Sequence, residues 1–94
     1  TKMKQSVQIV LSISLEDSSL KDFIQKSAGT SGIEGMAFIG DPQNIQIVAN
    51  GASDAVDKFI DLLYIGAGSM KPESLSVEPY LQVKDFRGIF RVIE

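Results

Sequence analysis

The sequence predicts an α+β sandwich, one β-sheet carrying two helices on a single face. Three observations point to it. Apolar residues alternate with period two over 7–15 and again over 44–49, as on strands with one buried face. Two other segments repeat apolar residues at helical spacing, Leu20-Phe23-Ile24-Ser27 and Val56-Phe59-Ile60-Leu63. Glycine and proline punctuate the joins, at Gly29, Gly40, Pro42, Gly51, Gly66, Gly68 and Pro72.

The first strand is predicted near 7–14, with Val7, Ile9, Leu11, Ile13 and Leu15 on one face and Gln8, Val10, Ser12 and Ser14 on the other. Glu16, Asp17, Ser18 and Ser19 then form a turn. Ser19 and Asp22 stand at capping-box spacing, which predicts a helix over 19–28 that stops at Gly29. A second strand is expected near 34–40 and a third near 44–50, with Ile45, Ile47 and Ala49 facing inward. The short turn Gly40-Asp41-Pro42-Gln43 makes the pair an antiparallel hairpin. Gly51 breaks the chain before a second helix over 53–65, where Asp54 and Asp57 sit near the positive helix end. Gly66 and Gly68 end that helix and Pro72 forbids its resumption. The fourth strand, 74–83, contains Pro79, the mark of a sheet edge or bulge. Residues 88–93 give a short final strand.

The order strand, helix, strand, strand, helix, strand is that of the ferredoxin-like βαββαβ sandwich, here with a short extra C-terminal strand. Right-handed crossovers put both helices on the same face of an antiparallel sheet. The 94 residues make a single domain, 1–94.

Composition removes several chemistries. Without cysteine there is no disulfide, thiolate metal site or cysteine nucleophile, and without histidine the commonest general base is missing. A hydroxyl nucleophile among the serines of 16–19 would lack a histidine partner. A net charge of −3 and a pI of about 4.8 oppose binding to a phosphate backbone. The outward side of strand 44–49 carries Asn44, Gln46 and Val48 rather than base-stacking aromatics. No apolar run is long enough to span a bilayer, and no signal-peptide pattern opens the chain. Thr1 fits either a processed initiator methionine or a domain cut from a longer protein. Phe38, Phe86 and Phe90 are expected in the core or at sheet edges, and Tyr64 and Tyr80 at the surface.

Gly32-Ile33-Glu34-Gly35-Met36-Ala37 resembles the G-L-x-G-W-V segment of acylphosphatases. Asn44-Ile45-Gln46-Ile47-Val48-Ala49-Asn50-Gly51 is similar to that family's S-V-E-V-V-A-E-G. Phe23-Ile24-Gln25-Lys26, the helix around Phe59, the Glu78-Pro79 pair and Phe90-Arg91-Val92-Ile93 also follow the family's pattern. The resemblance covers nearly the whole chain from about residue 7. It implies a phosphate cradle between first strand and first helix, where backbone N–H groups and an arginine hold the anion. It also implies an asparagine on the second strand that orients water.

This chain departs from the family at each of those points. The three glycines of the cradle G-x-V-Q-G-V-G-F-R fall on Ile13, Asp17 and Ser19, its arginine on Lys21, and the water-orienting asparagine on Ile39. Glu16 and Asp17 place carboxylates where the phosphate would lie, and lysine lacks the bidentate fork. Glu16, Asp17, Ser18 and Ser19 as oxygen ligands of a hard cation are weighed against ordinary helix-capping duty, which is favoured.

The expectation is therefore a non-catalytic acylphosphatase-like domain that serves as an interaction or structural module, with no catalytic residue, metal or cofactor. The alternative is a divergent acylphosphatase or anion-binding hydrolase using Ser18, Ser19 and Lys21. The partner is left open between another protein and a second copy, without nucleic acid or membrane, in the cytoplasm.

Overall fold

The computed structural model describes residues 4–13, 17–39, 44–66, 72–80 and 88–93. Its elements are β1 (Lys4–Ser12), α1 (Asp17–Ser31), β2 (Glu34–Phe38), β3 (Ile45–Ala52), α2 (Ser53–Ile65), β4 (Ser74–Pro79) and β5 (Phe90–Ile93). The strands form one sheet in the order β4-β1-β3-β2-β5. The first four pair antiparallel in the ferredoxin-like arrangement, and β5 adds to β2 in parallel, which makes the sheet mixed.

Alternation dictates the faces. Ile9 lies opposite Ile47 on one side and Val77 on the other, and Ile47 lies opposite Ala37. Ile9, Ile47 and Ala37 are fully buried against Leu20, Ile24 and Ala28 of α1 and Val56, Phe59 and Leu63 of α2. Both helical stripes thus close on one sheet face, as the spacing predicts. Phe59 also meets Phe90 of β5, with ring centroids 5.8 Å apart and a tilt of 58°, a favourable aromatic geometry.

Three local expectations are corrected. α1 begins at Asp17, so Ser19 lies inside the helix and is not the N-cap of a box with Asp22. α1 also runs through Gly29 and stops at Gly32, whose φ of 75° breaks the helical path while its N–H donates to the Ala28 carbonyl at 2.9 Å. The positive φ, which only glycine adopts freely, selects Gly32 as the stop. Finally, Gly51 does not break the chain: β3 continues to Ala52 and α2 starts at the next residue.

Other signals read as expected. Gly66 caps α2 with φ 82° and donates its N–H to the Leu62 carbonyl at 3.2 Å. Pro79 lies on an edge strand. Because the Tyr80 N–H donates to the Ser6 carbonyl at 3.0 Å, the neighbouring Pro79 turns its nitrogen to the unpaired side, where no donor is needed. The parts of the expected strands over 14, 40 and 81–83 lie outside the described residues, as does Phe86.

Candidate functional site

Of the positions singled out in the sequence, Ile13 and Ile39 directly follow β1 and β2 at one end of the sheet. There β1 exits toward α1, β2 exits into the hairpin and β3 enters from it. The register places Leu75, Leu11 and Ile45 side by side at this end. The Ile39 N–H donates to the Ile93 carbonyl at 2.8 Å, which fixes the exit of β2 against the end of β5.

Two of the positions lie in the core. Ile13 is 1% exposed and Ile39 is 7% exposed, and both pack in the cluster that holds Leu20, Ile24 and Ile45. An asparagine at 39 would bring a polar amide into this apolar packing. Among the described residues, Ile13, Ile39 and Ile45 at this sheet end are buried branched aliphatic side chains with no proton to give or accept.

The polar positions lie on α1. Asp17 and Ser18 form its first turn, so the N–H groups of that turn have no partner within the helix and face its N-terminus. Ser19 and Lys21 are both exposed, two positions apart on one helix, which puts them about 200° apart around its axis. Ser19 lines a groove of about 480 Å3 between α1 and α2, together with Asp22, Phe23, Lys26, Leu62 and Ile65. Lys21 is not part of that groove. The structure therefore gathers Ile13 and Ile39 into one cluster and sends Ser19 and Lys21 in different directions. Ser14, Leu15 and Glu16 lie outside the described residues. Among the described residues, no three acidic, histidine or cysteine side chains converge as a metal site.

The glycines that carry the resemblance have structural work instead. Gly32 terminates α1. Gly35 has φ 145°, and a Cβ there would overlap the Val48 carbonyl oxygen of the paired strand. Between them, Glu34 accepts a hydrogen bond from the Gly88 N–H at 3.1 Å and so ties the entry of β5 to β2. From α1, the Gln25 amide donates to the Phe90 carbonyl at 3.1 Å. Sequence reading did not single out Glu34 or Gln25, because their partners lie 54 and 65 residues away.

Comparison with known proteins agrees with this architecture. Over 83 residues the chain is 29% identical to an acylphosphatase of Caldivirga maquilingensis, covering 87% of each. The crystal structure of acylphosphatase from Bacillus subtilis superposes with a TM-score of 0.82 at 18% identity, covering 98% of this chain and all of that one. Full-length HypF, crystallised in its phosphate- and nucleotide-bound form, contains a matching region with a TM-score of 0.82 at 16% identity. That match spans 100% of this chain and 12% of HypF. No protein-family model matches the chain.

Proposed function

This chain is acylphosphatase-like, and from that premise we propose that it keeps the scaffold without the hydrolytic chemistry, acting as an interaction or structural module. The observation that carries the reading is Ile39. The resemblance assigns this position to an asparagine that orients the attacking water, and here it is an isoleucine packed in the core. Ile13 extends the argument, since it fills the core where the cradle's first glycine would stand. Oriented donors and a held water are what accelerate such a hydrolysis, and a buried aliphatic side chain supplies neither. A module role is also compatible with HypF, where a region of this shape forms a small part of a larger chain. The reading takes residues 1–94 as one domain and places it in the cytoplasm, a setting that the lack of cysteine fits. No described helix is long and apolar enough to cross a membrane.

The second reading is a divergent hydrolase or anion binder. It is favoured by the 29% identity to a protein named acylphosphatase and by the first-turn amides of α1, which have no partner within the helix, with Ser18, Ser19 and Lys21 as the binding residues. Titration with inorganic phosphate, followed by amide NMR shifts over residues 14–21, separates the two. The module reading predicts no saturable shift. Saturable shifts centred on Ser18 and Ser19, lost in Lys21→Ala, would replace it with the second.

A further inference from the structure

The sheet face away from the helices carries an ordered pattern. One row across it reads Glu78, Gln8, Val48, Met36, Arg91, from β4 through β1, β3 and β2 to β5. The next row reads Ser76, Val10, Gln46, Phe38, Ile93. Both alternate with the rows whose members pack beneath the helices, so both project from the opposite face. Phe38 and Ile93 are 44% and 39% exposed, and Val48, though only 8% exposed, stands outside the helix-side core. Apolar Val10, Val48, Met36 and Phe38 thus stand on the three inner strands, interleaved with the polar Gln8 and the exposed Gln46. Its two edges bear opposite charges, Glu78 on β4 and Arg91 on β5, both exposed.

We propose that this face is a self-association surface, and that its occupant is a second copy of the chain. The argument is the symmetry of the charges about β3, the central strand. A two-fold axis lying in the interface along β3 exchanges the two edges of the sheet. It brings Val48 onto Val48 and Met36 onto Gln8 of the second copy. It brings Glu78 onto Arg91 of the second copy, and Arg91 onto its Glu78. In the adjoining row Phe38 meets Val10, Gln46 meets Gln46 and Ile93 meets Ser76. The complementarity that an isologous dimer requires therefore lies in the edge charges and the Phe38–Val10 pairs. Two sheets packed face to face in this way stay close to aligned, about 10 Å apart.

The size of the face sets the strength. Four gaps of about 4.8 Å make the sheet roughly 19 Å wide, and the two rows cover about 14 Å along the strands. Two such faces bury on the order of 500–600 Å2, below the range of about 1,200–2,000 Å2 for stable interfaces, so the dimer is weak and reversible. The inference names a partner for the interaction role proposed above and rests on that role for its meaning. Its test is separate: the association measurement can fail while phosphate titration still finds no anion site.

Sedimentation of the whole chain from micromolar to millimolar concentration tests it. The expected result is a reversible monomer–dimer equilibrium that added salt weakens. Arg91→Glu sets like charges together at both edges and should raise the dimer dissociation constant at least about tenfold, as should Glu78→Arg. The combined Glu78→Arg/Arg91→Glu variant restores complementarity and should return the constant to within about threefold of the parent. Because both side chains are exposed, circular dichroism should show each variant folded. A monomer at every concentration overturns the proposal. So does a dimer that survives both single reversals, or one that the combined variant fails to restore.

Discussion

Gly35 and Gly29 stand six residues apart and are under opposite constraints. Gly35 holds φ 145° with the Val48 carbonyl where a side chain would begin, whereas Gly29 has no atom within 4 Å of an added Cβ and lies in the last turn of α1. Gly35→Ala should therefore destabilise by about 2–4 kcal/mol, from strain and a backbone overlap together. Gly29→Ala should stabilise by about 0.5–1 kcal/mol, because alanine loses less entropy in a helix. Urea titration of both variants reads the signs, and equal effects would contradict the opposite constraints on the two glycines. The sequence alone reads Gly35 as part of the second strand and Gly29 as the stop of the first helix. The conformation of Gly32 decides otherwise, and φ is not written in residue identity. Ile39 is the third telling residue. Ile39→Asn removes apolar burial and brings in an amide, so it should cost about 1–3 kcal/mol in the same titration. No measurable cost would mean that residue 39 faces water after all.

The same contrast holds for whole elements. β3 and α2 were legible because each has one buried face with an unbroken period, Ile45-Ile47-Ala49 on the strand and Val56-Phe59-Leu63 on the helix. Both stripes are buried in the fold, and their centres should be costly to truncate. Phe59→Ala should destabilise by about 3–5 kcal/mol, and Ile47→Ala by about 2–5 kcal/mol. A loss below about 1 kcal/mol in denaturant titration at either position would mean that the faces are reversed. α1 was read too short at both ends. Its last turns carry serines that periodicity does not register as helical, and these bond back within the helix: the Ser27 hydroxyl donates to the Phe23 carbonyl and the Ser31 hydroxyl to the Ser27 carbonyl, each at 2.8 Å. β5 was visible as a strand, but its parallel partner was not, because that pairing joins residues more than fifty positions apart. Pro79 narrowed β4 to an edge or a bulge, and the sheet order makes it an edge strand, whose unpaired side tolerates a missing donor.

For the molecule as a whole, scaffold and chemistry separate. The residues that carry the resemblance (Gly32, Gly35, the β3 alternation and the α2 stripe) shape the backbone and fill the core, and they persist in a fold shared with acylphosphatase structures. The positions that the resemblance assigns to catalysis are the ones that differ: Ile13, Asp17, Ser19, Lys21 and Ile39. Fold was therefore more legible than function, because many residues specify a fold together while a few specify a reaction. The most direct measurement is hydrolysis of benzoyl phosphate by the unmodified chain, run beside a buffer blank and the Lys21→Arg/Ile39→Asn variant. Losing one preorganised donor typically costs about 100- to 1000-fold in rate, and the proposed reading has several replaced together. The account predicts a rate equal to the blank for the chain and little above it for the variant, which still has no glycine cradle. Clear turnover by the unmodified chain, abolished by Lys21→Ala, would contradict it.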